Sequence, residues 1–228
     1  MRVSSWKSLL STLGAIAVIA VFLSATAAPP RSQQWLRVPP HQAVGVESTG
    51  RSTAQATAQE IVLVLDPAQT KLQWSVDSTV HTVHGTFAVK SGTVHFDPDT
   101  GKAGGEVIVL ATSGDSGNSS RDQKMHKEIL ETAKFPEAVF RPVQIEGKVA
   151  RSGNSDVKLR GVISLHGGEH EIIVPVYAEL APERWKGTAK FSVPYIQWGI
   201  KDPSNWLLKV KPVVNVELEM TGTAKGAN

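Results

Sequence analysis

Apolar and polar residues alternate along most of the chain after residue 60, which is the pattern of β-strands with one buried face. Leu72, Trp74 and Val76 share one face of a predicted strand, and the residues between them are polar. The same alternation recurs in four later segments: 157–165, 172–180, 185–193 and 206–220. Each of these segments therefore predicts a strand that buries one face against a common core.

Shorter segments complete the predicted β structure. An apolar run, Ile61–Leu65, ends at a turn signal, and the continuously apolar segment 106–111 predicts a strand covered on both faces. Segments 85–89 and 93–96 predict a hairpin around a Ser-Gly pair. Segment 139–149 changes face near a proline, which predicts a bulge.

About eight to ten strands at hairpin spacing predict an all-β, antiparallel fold, either a sandwich or a closed barrel. Several strands are long, and long strands favour a tilted barrel, whose closure also removes exposed edges. The outward faces carry charges, which argues against a lipid-facing band in an outer membrane.

One segment, 118–136, departs from the period of two. Met125, Ile129 and Ala133 recur at i, i+4 and i+8 and predict one apolar face of a helix over about 121–133. Ser119 with Asp122 has the form of a capping box, and lysine–glutamate pairs four apart lie on the predicted wet side. Pro136 is expected to end the helix. A single helix between two runs of strands predicts a cover over one end of a barrel.

Composition narrows the class of protein. The 228 residues carry a net charge of +3, with scattered basic residues and no basic stripe, so nucleic acid is not a predicted partner. The chain has no cysteine, which excludes disulfides and thiolate chemistry. It has no nucleotide-binding, nucleophile-elbow or zinc-protease motif, and we predict that it is not an enzyme.

The N-terminal residues predict export. A short positive region, an apolar run at 9–23 and an Ala-Thr-Ala site predict a signal peptide over residues 1–27. An uncleaved membrane anchor is the alternative, whereas cleavage leaves no stable membrane span. Residues 28–60 are rich in Pro, Gln, Ser and Thr and predict a flexible linker. The expected location of the following domain is the periplasm or the extracellular medium.

An ordered set of short motifs runs through the β region. It consists of DPAQTKL at 66–72, HTVHGTF at 81–87, SGTVHFD at 91–97, NSSRD at 118–122, Met125-His126, LRG at 159–161 and HGG at 166–168. The set resembles the YceI-like family of secreted bacterial proteins over essentially 61–222, with 223–228 as a tail. The aromatic connection at 194–205 departs from the familiar members and leaves the ligand open.

The resemblance implies a lipocalin-like antiparallel barrel of about eight strands that takes up a long apolar chain, a polyisoprenoid or quinone lipid. The inward aromatic and aliphatic residues are then the expected ligand-binding wall, although each also fits an ordinary core. These residues are Trp74, Val76, Phe87, Phe96, Ile108, Met125, Ile129, Phe140 and Phe191. Gly161, Gly187 and Ala189 on inward faces leave volume beside them.

Two roles are possible for the polar residues at the start of the helix. Arg121, Asp122 and His126 either cap the helix among solvated charges or form a polar mouth suited to a phosphate or a quinone carbonyl. Of the histidines, His81 and His84 are expected on opposite faces of a strand, which is poor geometry for chelation. His166 and His170 supply only two ligands, so no metal site is predicted.

The sequence thus predicts a non-catalytic carrier of an apolar lipid, with no other cofactor and with a second copy of the chain as a further candidate partner. The rival hypotheses are a structural or interaction barrel with a filled core, and a weak histidine-based metal binder. A continuous cavity between the strands would favour the carrier, and a filled interior would favour the structural barrel.

Overall fold

The computed structural model describes residues 60–226, so the predicted signal peptide 1–27 and all of the predicted linker 28–60 except Glu60 lie outside the described residues. The described part contains nine strands: β1 (Ile61–Leu65), β2 (Lys71–Asp77), β3 (Thr82–Phe96), β4 (Ala103–Asp115), β5 (Glu137–Glu146), β6 (Gly153–Leu165), β7 (Gly168–Leu180), β8 (Arg184–Val193) and β9 (Val214–Lys225). A helix α1 (Ser119–Lys124) and a π-helical turn (Met125–Ile129) follow β4.

The strands close into one antiparallel barrel with eight positions around its circumference. From β9 the order runs through β8, β7, β6, β5 and β4 to β3, and both β1 and β2 pair with β3 and with β9. β1 lies against Thr93–Phe96 of β3, whereas β2 lies against its first half, Thr82–Phe87. The two short strands therefore share one position end to end, and the predicted eight-stranded, lipocalin-like barrel is confirmed.

β3 is one continuous strand, and the hairpin predicted within it is wrong. A bulge between Val89 and Ser91 shifts the register against β4. Before the bulge, inward positions such as Phe87 are odd-numbered, and after it Val94 and Phe96 are the buried ones. The bulge therefore changes the inward face, which made one strand look like two arms. A second bulge, between Pro142 and Gln144 of β5, matches the prediction near Pro142.

The last predicted strand is shorter at its start and longer at its end. Residues 206–213 belong to the connection between β8 and β9, and Trp206 is 89% exposed, so its assignment to a buried strand face was wrong. β9 continues to Lys225, three residues past the predicted domain boundary at 222. Thr223–Lys225 pair with β1, so the first half of the predicted tail is part of the barrel wall.

The helix is shorter than predicted. Asn118, not Ser119, is its N-cap, and the Asn118 Oδ1 accepts from the Arg121 N–H at 3.0 Å. A π-helical turn over Met125–Ile129 then adds a residue to the turn, and Glu131 adopts a left-handed φ of 44°, ending the helical segment before Pro136. Met125 and Ile129 face the barrel as predicted, but Ala133 is exposed.

The two ends of the barrel differ. At the end where β1 begins and β9 finishes, Ile61, Phe96, Leu180 and Trp185 are buried in a close-packed cluster. The other end carries α1, the β2–β3 turn, the β6–β7 turn and the long β8–β9 connection. We call it the mouth. No helix within residues 60–226 is long and apolar enough to cross a membrane.

Candidate functional site

A cavity of about 700 Å³ runs through the interior from the packed end to the mouth. This volume falls within the range of about 300–1,000 Å³ that is usual for small-molecule sites. Polar side chains line it mainly at the mouth, and Ser155 is the polar residue near the packed end. The Ser155 hydroxyl is already used, because it accepts from the Ala150 N–H at 2.9 Å. The wall between these points therefore offers an apolar ligand almost nothing but hydrocarbon and aromatic surface.

Eight of the nine predicted wall residues line this cavity: Trp74, Val76, Phe87, Phe96, Met125, Ile129, Phe140 and Phe191. Ile108 does not, whereas its neighbours Val107 and Val109 do. Because side chains alternate between the two faces of a strand, the prediction placed β4 one residue out of phase. Contact of any of these residues with a ligand stays a prediction.

Several inward side chains remain partly accessible from inside the barrel. Val157, Leu159, Val176, Val216 and Leu218 all line the cavity and all keep intermediate exposure, although they lie on the inner face. In a filled barrel, inward residues at mid-strand would be fully buried by side chains from the opposite wall. The interior is therefore hollow, which argues against the structural barrel with a filled core.

Glycines let large aromatic side chains lie against the wall. Trp74 of β2 pairs directly with Gly85 of β3, and a Cβ at Gly85 would come within 2.5 Å of the indole Cε2. Phe140 lies against Gly161 in the same way, with its Cε2 at 2.5 Å from the position of an added Cβ. Gly161 therefore does not leave the empty volume beside itself that the sequence had suggested. Gly85 and Gly161 take up the rings of their neighbours, which keeps those rings out of the central space.

The connection between β8 and β9 supplies wall residues that the sequence reasoning did not identify. Tyr195 and Ile200 are buried and pack with Val193 in a second apolar cluster near the mouth. Trp198 of the same connection also lines the cavity, as do Leu208 and Val210, which the alternation over 206–220 had placed on an inward face. The signal for Tyr195, Trp198 and Ile200 was the aromatic composition of 194–205, which the sequence singled out as unusual without placing it in the wall.

The polar residues at the mouth divide into one that lines the cavity and two that do not. Arg121 is part of the lining, and its guanidinium donates from Nε to the Ser116 hydroxyl at 2.7 Å and from Nη2 to the Ser116 carbonyl at 2.9 Å. Asp122 accepts from the Ser116 N–H and hydroxyl. The Ser116 hydroxyl holds the pKa of Asp122 below its ordinary value. Asp122 thus ties α1 to the end of β4.

His126 has a similar structural position. Its Nε2 lies 2.9 Å from the Gly114 carbonyl oxygen of β4, and it does not line the cavity. The predicted polar mouth of Arg121, Asp122 and His126 is therefore one lining residue supported by two residues that hold the helix in place. Ser78, His81, Asn118, Ser120 and Lys124 join Arg121 around the opening.

His166 and His170 make separate contacts. His166 Nε2 lies 3.0 Å from a Glu131 carboxylate oxygen, and its ring packs on Phe135. The His170 ring stacks on Trp198 with centroids 4.4 Å apart and an interplanar angle of 1°. Within residues 60–226 no group of three or more metal-ligating side chains converges.

A buried phenol stands out in the wall near the mouth. Tyr195 is only 5% exposed, and its hydroxyl has no hydrogen-bond partner among the described residues. Burial, with a smaller contribution from Asp202, raises the pKa of Tyr195 to about 12. The ring therefore belongs to the apolar wall, and its hydroxyl stays protonated over the ordinary range of pH.

An antiparallel eight-stranded barrel with a hollow apolar interior and one covered end is the architecture of a lipocalin-like protein. The sequence model of the YceI-like domain matches residues 63–222, and the chain belongs to the YceI-like family. No protein with a curated description matches the chain.

Two solved structures share the fold at low sequence identity. BcnA of Burkholderia cenocepacia matches with a TM-score of 0.56 and 15% identity, over 70% of this chain and 99% of that one. A polyisoprenoid-binding domain from Saccharophagus degradans, implicated in plant cell wall breakdown, matches with a TM-score of 0.53 and 14% identity, over 71% of this chain and 98% of that one. At these identities the likeness shows the fold.

Proposed function

We propose that this protein binds and carries a long-chain apolar lipid of the polyisoprenoid or quinone type inside its barrel, without catalysing a reaction. The observation that carries the proposal is the continuous apolar cavity of about 700 Å³. Membership of the YceI-like family and the likeness to a polyisoprenoid-binding domain support it. The predicted signal peptide supports a periplasmic or extracellular location for the carrier.

The free energies of burying and ordering a chain agree with a ligand of this kind. Each five-carbon unit moved from water into the cavity contributes ~4 kcal/mol at about 0.8 kcal/mol per methylene. Ordering a flexible chain and fixing the complex cost several kcal/mol, so a few buried units are needed for tight binding. A cavity whose lining extends from the packed end to the mouth favours an extended chain over a compact ring system. The polar residues at the mouth then meet the end of the lipid that remains in water.

The experiment compares two tryptophan substitutions on one strand. Val176 lines the cavity, and Val176→Trp places a large ring in its middle. Tyr177 is the next residue, lies on the outer face at 43% exposure, and gives the matched control Tyr177→Trp. Binding is measured with a fluorescent polyprenyl lipid in solution and by native mass spectrometry of each purified protein.

We expect the wild type and Tyr177→Trp to bind lipid, and Val176→Trp to lose at least about tenfold in affinity. Thermal unfolding shows whether Val176→Trp is folded. If the cavity variant does not fold, Leu159→Phe is a milder substitution in the same cavity, on the neighbouring strand β6. Absence of lipid from the purified wild type together with no uptake of the added lipid would overturn the proposed function.

A further inference from the structure

Three large apolar side chains are exposed at the mouth of the barrel. Trp206 is 89% exposed, and Val80 and Leu207 are each 73% exposed, which makes them the most exposed large apolar residues among those described. Trp206 and Leu207 lie in the β8–β9 connection and Val80 lies in the β2–β3 turn. We refer to these three residues as the mouth patch.

Hydrogen bonds hold the two halves of the mouth patch beside each other. The Thr79 N–H donates to the Lys209 carbonyl at 2.9 Å, and Ser78 forms an isolated β-bridge with Val210. The tip that carries Trp206 is itself ordered, because Asn205 Oδ1 accepts from the Leu207 N–H at 2.9 Å and from the Leu208 N–H at 2.7 Å. The exposed side chains are therefore presented by a defined backbone.

The mouth patch adjoins the cavity lining in the β8–β9 connection, because the exposed Leu207 is followed directly by Leu208, which lines the cavity. Pro203, Leu208 and Val210 line the cavity, and Trp206 and Leu207 lie between them in sequence but face outward. An apolar chain leaving the cavity along this connection would thus pass from lined to exposed apolar surface. Exposed apolar surface that adjoins a lipid-sized cavity is suited to contact with the medium that holds the lipid.

Charge and residue type agree with a bilayer surface. Lys209 and Lys211 follow the mouth patch directly, and Lys211 pairs with Asp77 at 2.8 Å. Lys209 is exposed and forms no ion pair within residues 60–226, although, after the hydrogen bonds from Ser204, its charge contributes to lowering the pKa of nearby Asp202, so its ammonium group can reach lipid phosphates. Tryptophan with aliphatic neighbours and flanking lysine is the composition that binds the interfacial region of membranes.

The apolar area of the mouth patch is too small for a stable interface with a protein partner. Even at the roughly 200 Å² that a large aromatic side chain buries, three such side chains supply about 600 Å². A standard protein interface needs about 800 Å² from each partner. A bilayer has no such requirement, because a few side chains at the interface suffice for reversible binding.

We propose that the mouth patch docks the open end of the barrel on a lipid bilayer, with Val80, Trp206 and Leu207 inserted at the interface and Lys209 beside an anionic headgroup. This inference rests on the proposed lipid-binding function, because it places the opening of the cavity where the lipid enters or leaves.

The absence of native cysteine allows a local test in the whole chain. Leu207→Cys carries an environment-sensitive dye at the mouth patch, and Tyr177→Cys carries the same dye on the outer wall. Vesicles of phosphatidylcholine, with and without phosphatidylglycerol, are added to each labelled protein. Because the dye reports only its own surroundings, any membrane contact of the N-terminal residues leaves the comparison intact.

We expect the emission at position 207 to shift to the blue with vesicles and to be quenched by brominated lipid, and the emission at 177 to stay unchanged. Adding Val80→Ser and Trp206→Ser should raise the vesicle concentration at half response at least about tenfold. In the labelled protein without the serine substitutions, phosphatidylglycerol should lower the vesicle concentration at half response about fivefold, as expected for one nearby lysine. An unchanged thermal midpoint shows that the substituted mouth remains folded.

Two outcomes would overturn the inference: a dye at 207 that stays in water with every vesicle, or a response unaffected by the serine substitutions. Failure of the proposed function has a different signature. In that case the dye at 207 still responds to vesicles, but the protein takes up no polyprenyl lipid from solution. Uptake of dispersed lipid without any vesicle response would retain the carrier and reject the docking surface.

Discussion

The Phe87 ring of β3 lies so close to Gly114 of β4 that a Cβ at Gly114 would come within 2.6 Å of the Phe87 Cε1. The methyl carbon of Met125, from the π-helical turn, would be 2.7 Å from the same added atom. Gly114 is buried and its carbonyl oxygen is the partner of His126. One glycine therefore lets the barrel wall, an aromatic wall residue and the covering helix meet at a single point.

Gly114→Ala should consequently destabilise the protein by about 1–3 kcal/mol, because the added methyl group must displace Phe87 and Met125. Urea denaturation of the variant measures this cost. Phe87→Leu provides the second arm of a double-mutant cycle, since the smaller side chain makes room for the methyl group. We expect the cost of Gly114→Ala to fall by at least about 0.5 kcal/mol in the Phe87→Leu background, and additive costs would contradict the contact.

The strand pattern predicted the fold because alternation is a local property that a one-sided barrel wall imposes on nearly every strand. The prediction from the pattern was wrong where a residue was required by a tertiary contact rather than by the local structure. Ser91-Gly92 has the residues of a turn, yet Gly92 is buried in β3, where a Cβ would meet the Leu65 side chain at 2.7 Å. The glycine is explained by this close approach, and nothing in the local sequence distinguishes that from a turn.

The candidate site was predictable to the same extent. Aromatic residues on clearly alternating strands, such as Trp74 and Phe191, were placed in the wall without the structure. Ile108 was misplaced because 107–111 is continuously apolar, so its facing cannot be read from the pattern. Ala133 was misplaced because the helical segment ends at Ile129 and the left-handed Glu131 redirects the chain, so Ala133 no longer belongs to a helix. The exposed Trp206 looked like part of a strand because it lies in alternation with Leu208 and Val210.

The N-cap of the helix provides a second test, in which two adjacent residues have different roles. Asn118→Ala should cost about 1 kcal/mol, because it removes the acceptor for the Arg121 N–H. Ser119→Ala is the matched control and should stay within about 0.5 kcal/mol of the wild type. Hydrogen exchange at the first helical amides and urea denaturation measure the two effects. A larger cost for Ser119→Ala than for Asn118→Ala would return the cap to Ser119.

The facing of β4 can be tested with cysteine, since the chain has none of its own. Val109 lines the cavity and Ile108 does not. A bound polyprenyl lipid should therefore slow the reaction of Val109→Cys with a small thiol reagent at least about tenfold, as blocked access requires. It should leave the rate of Ile108→Cys unchanged. Protection of both cysteines would indicate a general tightening of the barrel, and protection of Ile108→Cys alone would reverse the assignment of the two faces.

Tyr195, in the wall near the mouth, makes the stability of the protein depend on pH in the alkaline range. Burial raises its pKa from the ordinary 10.0 to about 12, so between these values the unfolded chain loses the phenol proton while the folded protein keeps it. The contribution of this group to stability is complete below pH 10 and is lost as the pH rises toward 12. A shift of this size corresponds to about 3 kcal/mol.

Tyr195→Phe should remove this component of the alkaline loss, which urea denaturation at a series of pH values from 8 to about 12 would show. At neutral pH the same variant should be as stable as the wild type or more stable by about 1 kcal/mol, because the buried hydroxyl has no partner among the described residues. Tyr177→Phe controls for the loss of one phenol at an exposed position and should keep the wild-type pH dependence. If Tyr195→Phe is clearly less stable at neutral pH, the hydroxyl is hydrogen-bonded in the folded protein, and the apolar account of this part of the wall is wrong.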